Sequence, residues 1–276
     1  MTTIAITNQK GGVGKTTTTV NLAASLAASA QRVLLVDLDP QGNATMGCGV
    51  DKHALETSVY DVLMHSATAE QARQRAPESG FDVLPANADL TAAEVELVTA
   101  SNKENRLRYA LARVKHEYDY VLIDCPPSLN MLTVNALVAA DSVLIPVQCE
   151  YYALDGLSSL LNTVARVQKT LNPQLRIEGL LRTMYDARNS LTNEVSMQLI
   201  GHFGSRVYAT LIPRNVRLAE APSHGQPALI YDPASRGAIA YLAAASEMLR
   251  RHGRQSAAAS LTTASDAGAP ARVHED

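Results

Sequence analysis

A chain of 276 residues is long enough for one or two domains, and 46% apolar residues are enough for a sizeable core. The formal net charge of −3 excludes nucleic-acid binding through a whole-chain field, so any such binding must come from a local patch. Three scattered cysteines, Cys48, Cys125 and Cys149, exclude a disulfide scaffold and a Cys-x-x-Cys metal site, and no apolar run approaches the ~20 residues of a membrane span.

Thr3 to Ile6 is the first of four short apolar runs that predict strands. A helix follows over Thr16 to Ala30, alanine-rich, with Leu22 and Leu26 one turn apart. The second strand is Val33 to Val36, then a helix-like Val59 to Met64 and a weaker strand over Phe81 to Leu84. Tyr120 to Ile123 and Val143 to Val147 are strands, separated by a helix over Leu129 to Ala140. Leu154 to Leu171 is a helix closed by Asn172-Pro173, followed by weaker strands at Ile177 to Arg182 and Val207 to Ile212. The four strong runs lack polar alternation, so both faces should be buried, as in a parallel sheet. Strands alternating with helices predict an α/β fold with a doubly wound, mostly parallel sheet flanked by helices. The last helix, Ser235 to Arg251, carries Ile239, Leu242, Ala245 and Leu249 as its apolar stripe. Beyond it the chain turns to Ser, Ala, Thr, Gly and Pro, too poor in large apolar residues to offset its ordering entropy. One folded domain over 1–252 and a disordered tail over 253–276 are expected.

Between the first strand and the first helix lies Lys10-Gly11-Gly12-Val13-Gly14-Lys15-Thr16-Thr17. Glycines let backbone N–H groups turn inward around a phosphate, and the helix N-terminus adds a favourable dipole. Lys15 would reach the β- and γ-phosphates and the Thr16 hydroxyl would ligate Mg²⁺. The usual first glycine is replaced by Gln9, and an extra lysine, Lys10, precedes the glycine pair. The second strand ends in Asp37-Leu38-Asp39-Pro40, placing two carboxylates where an open α/β sheet binds ligands. The apolar strand ending in Asp124 has the form of one whose carboxylate holds a Mg²⁺-bound water, and Cys125 beside it reads as a small strand-end residue.

The loop resembles that of the deviant-Walker ATPases, a branch of the P-loop NTPases. With Pro213-Arg214-Asn215-Val216-Arg217 and Glu220-Ala221-Pro222-Ser223-His224-Gly225, the chain looks like the ParA/Soj chromosome- and plasmid-partitioning ATPases from about Thr2 to Arg250. The resemblance implies an ATP- and Mg²⁺-dependent homodimer that binds double-stranded DNA without sequence preference. By the same resemblance, a DNA-bound partner of the ParB/Spo0J type would reset it. Lys10 would reach the nucleotide of the other subunit, Asp39 would position the attacking water, and Asp37 would stand behind the metal. Pro213 and Asn215 would frame the adenine with Thr183 and Met184 near it, and Arg188 and Arg217 would contact DNA. Basic residues between Arg166 and Arg251, Arg182 among them, make the C-terminal half locally basic. The protein would then be cytoplasmic and nucleoid-associated, with no membrane contact. The rival is a membrane-cycling division ATPase of the MinD type, which ends in a basic amphipathic helix with bulky apolar residues; a cluster-bearing or metabolic P-loop enzyme is weaker still.

Overall fold

The computed structural model describes residues 1–151 and 153–266. Its frame is an eight-stranded sheet: β1 (Thr2–Ile6), β2 (Val33–Asp37), β3 (Gln74–Arg75), β4 (Asp82–Leu84), β5 (Tyr120–Asp124), β6 (Ser142–Gln148), β7 (Arg176–Tyr185) and β8 (Val207–Pro213). Their order is β3-β4-β2-β5-β1-β6-β7-β8, and every pairing is parallel except that of β3 with β4. The four strong apolar runs form the centre, and the weaker ones lie outside them. The two-residue β3 is exposed and has no apolar signature, which is why the sequence does not announce it.

Twelve helices accompany the sheet among the described residues: α1 (Lys15–Ala28), α2 (Asn43–Gly47), α3 (Val59–Met64), α4 (Ala69–Ala72), α5 (Leu90–Thr99), α6 (Arg106–Val114), α7 (Met131–Ala139), α8 (Ala153–Thr170), α9 (Ser190–Phe203), α10 (Val216–Glu220), α11 (Ala228–Tyr231) and α12 (Arg236–Asp266). Alternate strand residues face opposite layers. Ile4, Ile6, Val33, Leu35 and Leu122 pack with α1 and α12, whereas Ala5, Leu34, Val36, Val121 and Ile123 pack with the layer containing α3 and α5 to α9. Each of the four central strands is covered on both sides, the physical reason its run is continuously apolar. The sheet is doubly wound and mostly parallel, as expected.

One expectation about α12 needs correction. Its buried face is Ala238, Tyr241, Ala244, Ala245 and Met248, and Ile239 is 55% exposed. Alanines on every side leave the periodicity unable to choose a face. The helix spans Arg236–Asp266, and the domain boundary expected at 252 stays an expectation. Alanines at 257–259, the strongest helix formers, lie toward its end. The remainder of the expected tail, 267–276, lies outside the described residues.

Candidate nucleotide site

β1 lies between β5 and β6, so the loop leaving it at residue 7 emerges at the carboxyl edge of the sheet's centre. Gly12 and Gly14 adopt left-handed φ values of 72° and 86°, open to glycine without a Cβ penalty. Gly14 is the N-cap of α1, offers no side-chain cap, and is followed by a first turn without acidic residues. The leading N–H groups of α1 are therefore left for an external acceptor, with the helix dipole favouring an anion. α1 itself is held by its apolar length, Val20 to Leu26, rather than by a cap.

Lys15 is 7% exposed and its Nζ lies 3.4 Å from the carbonyl of Lys10. Burial lowers its pKa against the opposing pull of Asp124. A bound phosphate would restore the missing counter-charge. Lys10 turns the other way and pairs with Glu150, just beyond β6, at 2.7 Å. That pair is partly exposed, worth about 0–1 kcal/mol, and yields readily to a stronger anion.

Asp37 and Asp124 end neighbouring strands in register, and neither is exposed. Asp124 accepts from the hydroxyls of Thr16 and Thr19, both at 2.8 Å. Asp37 accepts from the backbone N–H and the hydroxyl of Thr45, both at 2.8 Å, and from the N–H of Asp39 at 3.1 Å. Burial raises both carboxyls above the usual range, and for Asp124 the neighbouring Asp37 adds to the rise. Asp39 is half-buried at the rim, where its carboxylate accepts from the N–H of Gln41 at 3.0 Å. The Cys125 thiol is buried and pushed far up by that burial, so it is inert.

Thr16, Asp124 and Asp37 are hard oxygen donors of the kind Mg²⁺ takes. Among the described residues no group of three His, Cys, Asp or Glu side chains could hold a metal alone. Mg²⁺ generally takes few protein oxygens, with phosphate and water completing its shell.

Beside the loop, Thr183, Met184, Pro213, Asn215 and Tyr241 line a cavity of about 170 Å³ together with Gly14. Met184 holds φ at 48°, an uncommon value for a side-chain-bearing residue, of the kind that gathers at ligand sites. The Asn215 carboxamide oxygen is buried without a partner among the described residues. The four residues nominated around a base are thus brought together. Arg188 and Arg217 lie on the surface, Arg188 in a groove that Pro213 also lines, the first paired with Asp186 at 2.8 Å, the second with Glu220 at 2.8 Å and Asp232 at 3.2 Å. Arg182 does not belong to the basic surface. It is 6% exposed and donates to Ser196 and to the carbonyls of Tyr208 and Ala209.

Sequence reasoning missed Thr19, Thr45 and Glu150. Thr19 lies one helical turn beyond Thr16, a spacing that places both on the face toward Asp124. Thr45 and Glu150 carry no such local signal.

A mostly parallel sheet with this loop at its carboxyl edge defines a P-loop nucleotide-binding protein, and residues 1–177 match the AAA domain family model. The chain is 58% identical over 245 residues to the sporulation initiation inhibitor protein Soj of Bacillus subtilis, covering 89% of this chain and 97% of that protein. It is 51% identical over 259 residues to the chromosome partitioning protein ParA of Caulobacter vibrioides, covering 93% and 97%. A crystal structure named cobyrinic acid a,c-diamide synthase from Mycobacterium smegmatis, with bound ADP and magnesium, superposes with a TM-score of 0.81 at 40% identity, covering 92% and 96%. The chain belongs to the Soj/ParA family of chromosome-partitioning ATPases.

Proposed function

We propose that the protein is an ATP- and Mg²⁺-dependent partitioning switch: it binds and slowly hydrolyses ATP, dimerises on ATP, and as a dimer binds double-stranded DNA without sequence preference. The observation that carries this is the uncapped N-terminus of α1, with the buried Lys15 beside it and an apolar pocket opening from Gly14. Together they fit a nucleoside polyphosphate with its base.

Lys15 and the N–H groups of Gly11 to Thr17 hold the phosphates; Pro213 and Asn215 flank the base, whose amino group would answer the unpaired Asn215 oxygen. Thr16 and Asp124 would hold the metal, Asp124 through water, with Asp37 behind them. Mg²⁺ bound there would neutralise charge developing between the β- and γ-phosphates. Asp39 orients the attacking water from the rim. Lys10 exchanges Glu150 for the nucleotide of a second copy, adding positive charge as the transition state forms.

Arg188 and Arg217 contact DNA phosphates. Arg188 shares a groove of about 380 Å³ with Arg214 and Arg236, which extends the basic surface. A DNA-bound partner of the ParB type would stimulate hydrolysis and release. Association with the nucleoid would follow.

An amide-synthase activity is disfavoured by the higher identity to the Soj and ParA proteins. A MinD-type membrane cycle is disfavoured by α12, whose apolar face up to residue 253 is spent on α1 and β8. No helix among the described residues is long and apolar enough to cross a membrane.

The test is a gel shift on unrelated duplex DNA with ATP, ADP and no nucleotide. A shift with ATP alone, which persists longer in Asp39→Ala, supports the switch. Equal shifts in all three conditions, or none, overturn it.

A further inference from the structure

Thr183 lies near the end of β7, where the strand reaches the phosphate loop. It lines the base pocket, yet its hydroxyl turns away to a different task. It donates to the carbonyl of Val13 at 2.8 Å, across 170 positions of sequence. Both residues are almost fully buried, Thr183 at 2% exposure and Val13 at 1%. A carbonyl so placed needs a partner, and Thr183 provides one. The Thr183 Cβ and the Met184 Cε each lie 3.9 Å from where a Cβ on Gly14 would sit. The end of β7 therefore braces the Val13–Gly14 peptide through both a hydrogen bond and packing.

That peptide is trans, since the described backbone has no cis bonds, so its C=O and the following N–H point in opposite directions. Holding the carbonyl of Val13 toward β7 turns the N–H of Gly14 away from it, at the start of the free N–H groups of α1. We propose that Thr183 is a positioning residue of the phosphate loop, fixing the Val13–Gly14 peptide in the orientation that receives phosphate. This rests on the nucleotide reading above and deepens it: Thr183 governs affinity for the polyphosphate and leaves recognition of the base to other groups.

The experiment compares Thr183→Val, which keeps the shape and removes the hydroxyl, with Thr183→Ser, which keeps the hydroxyl. Affinities for ADP, ATP and GTP are measured by titration of the full chain, with the melting temperature of the nucleotide-free protein alongside. Thr183→Val should weaken ADP and ATP alike by about tenfold, the scale of one buried hydrogen bond. The ratio of ATP to GTP affinity should stay at the parental value, and Thr183→Ser should restore binding to within about twofold. Unchanged ADP affinity in Thr183→Val, or an altered ATP-to-GTP ratio, overturns the proposal. Equal loss in Thr183→Ser also overturns it, because packing rather than the hydroxyl would then be responsible. If Thr183→Val fails to fold, Thr183→Ala against Thr183→Ser reads the same hydroxyl. Failure of the underlying nucleotide reading looks different: the parent would not bind ADP, or Lys15→Ala would bind it as well as the parent.

Discussion

Asp37 and Asp124 end β2 and β5 in register with no exposure, and burial lowers the pKa of nearby Lys15 against the opposing pull of Asp124. An unfolded aspartate titrates near 4, whereas burial lifts both of these well above that value. A carboxyl with a raised folded pKa holds its proton more tightly when folded. Its stabilising effect is complete below the unfolded pKa and is lost as pH rises toward the folded one. The nucleotide-free protein should therefore lose stability across the neutral range, the cost of keeping a metal site ready. Asp124→Asn removes the buried charge and retains a polar group for Thr16 and Thr19. Thermal melts should show it more stable than the parent by about 0.5–2 kcal/mol at pH 8, with the difference vanishing only below about pH 4, and ATP hydrolysis abolished. A destabilised variant at pH 8 would show that the two threonine bonds outweigh burial.

At the level of elements, α12 joins the two ends of the sheet. Near its start the Tyr241 hydroxyl meets that of Thr18 on α1 at 3.0 Å, beside the base pocket. Farther along, Glu247 accepts from the N–H groups of Ala209 and Thr210, and the Arg251 guanidinium lies 4.1 Å from the centre of the Tyr208 ring. His252 bridges the Tyr120 hydroxyl at 2.9 Å and Glu178 at 3.0 Å, and Glu178 also accepts from Tyr208 and Ser142. Burial alone would raise the Glu178 carboxyl, but the bonds from His252, Tyr208 and Ser142 hold it below its ordinary value. A depressed carboxylate contributes stability above its unfolded pKa and loses it as pH falls through the folded one. Glu178→Gln should thus cost about 1–3 kcal/mol near pH 7, read as a lower melting temperature, with the difference shrinking below pH 4.5. A pH-independent difference would assign the loss to packing.

None of this anchoring was visible in the chain's order of residues. Helix α12 itself was legible, because helix formers and their period are local. Its buried face was not, because alanine gives no side a preference. The phosphate loop, Asp37, Asp39 and Asp124 were legible for the same local reason: each ends a continuous apolar run. Thr183 was legible as a pocket residue, but its bond to Val13 joins positions no local pattern relates.

For the whole molecule, the net charge of −3 means that the proposed attraction to DNA has to be local and, in the proposed dimer, doubled. Arg188 and Arg217 sit in exposed ion pairs with Asp186, Glu220 and Asp232. Such pairs are worth about 0–1 kcal/mol, so a phosphate can replace the carboxylates at little expense. Each phosphate neutralised releases condensed counterions, and log K falls against log salt with a slope of roughly −0.9 per contact. Two arginines on each of two subunits give four such contacts. Replacing both arginines by glutamate should weaken ATP-dependent DNA binding and flatten that slope by roughly 3 to 4, alike for duplexes of unrelated sequence. The measurement is a salt titration of DNA binding with ATP, parent against the double variant. An unchanged slope would place the DNA surface elsewhere, with the Arg214 and Arg236 groove as the next location. A loss confined to one sequence would mean that bases are being read, which an interface made of phosphate contacts alone does not allow.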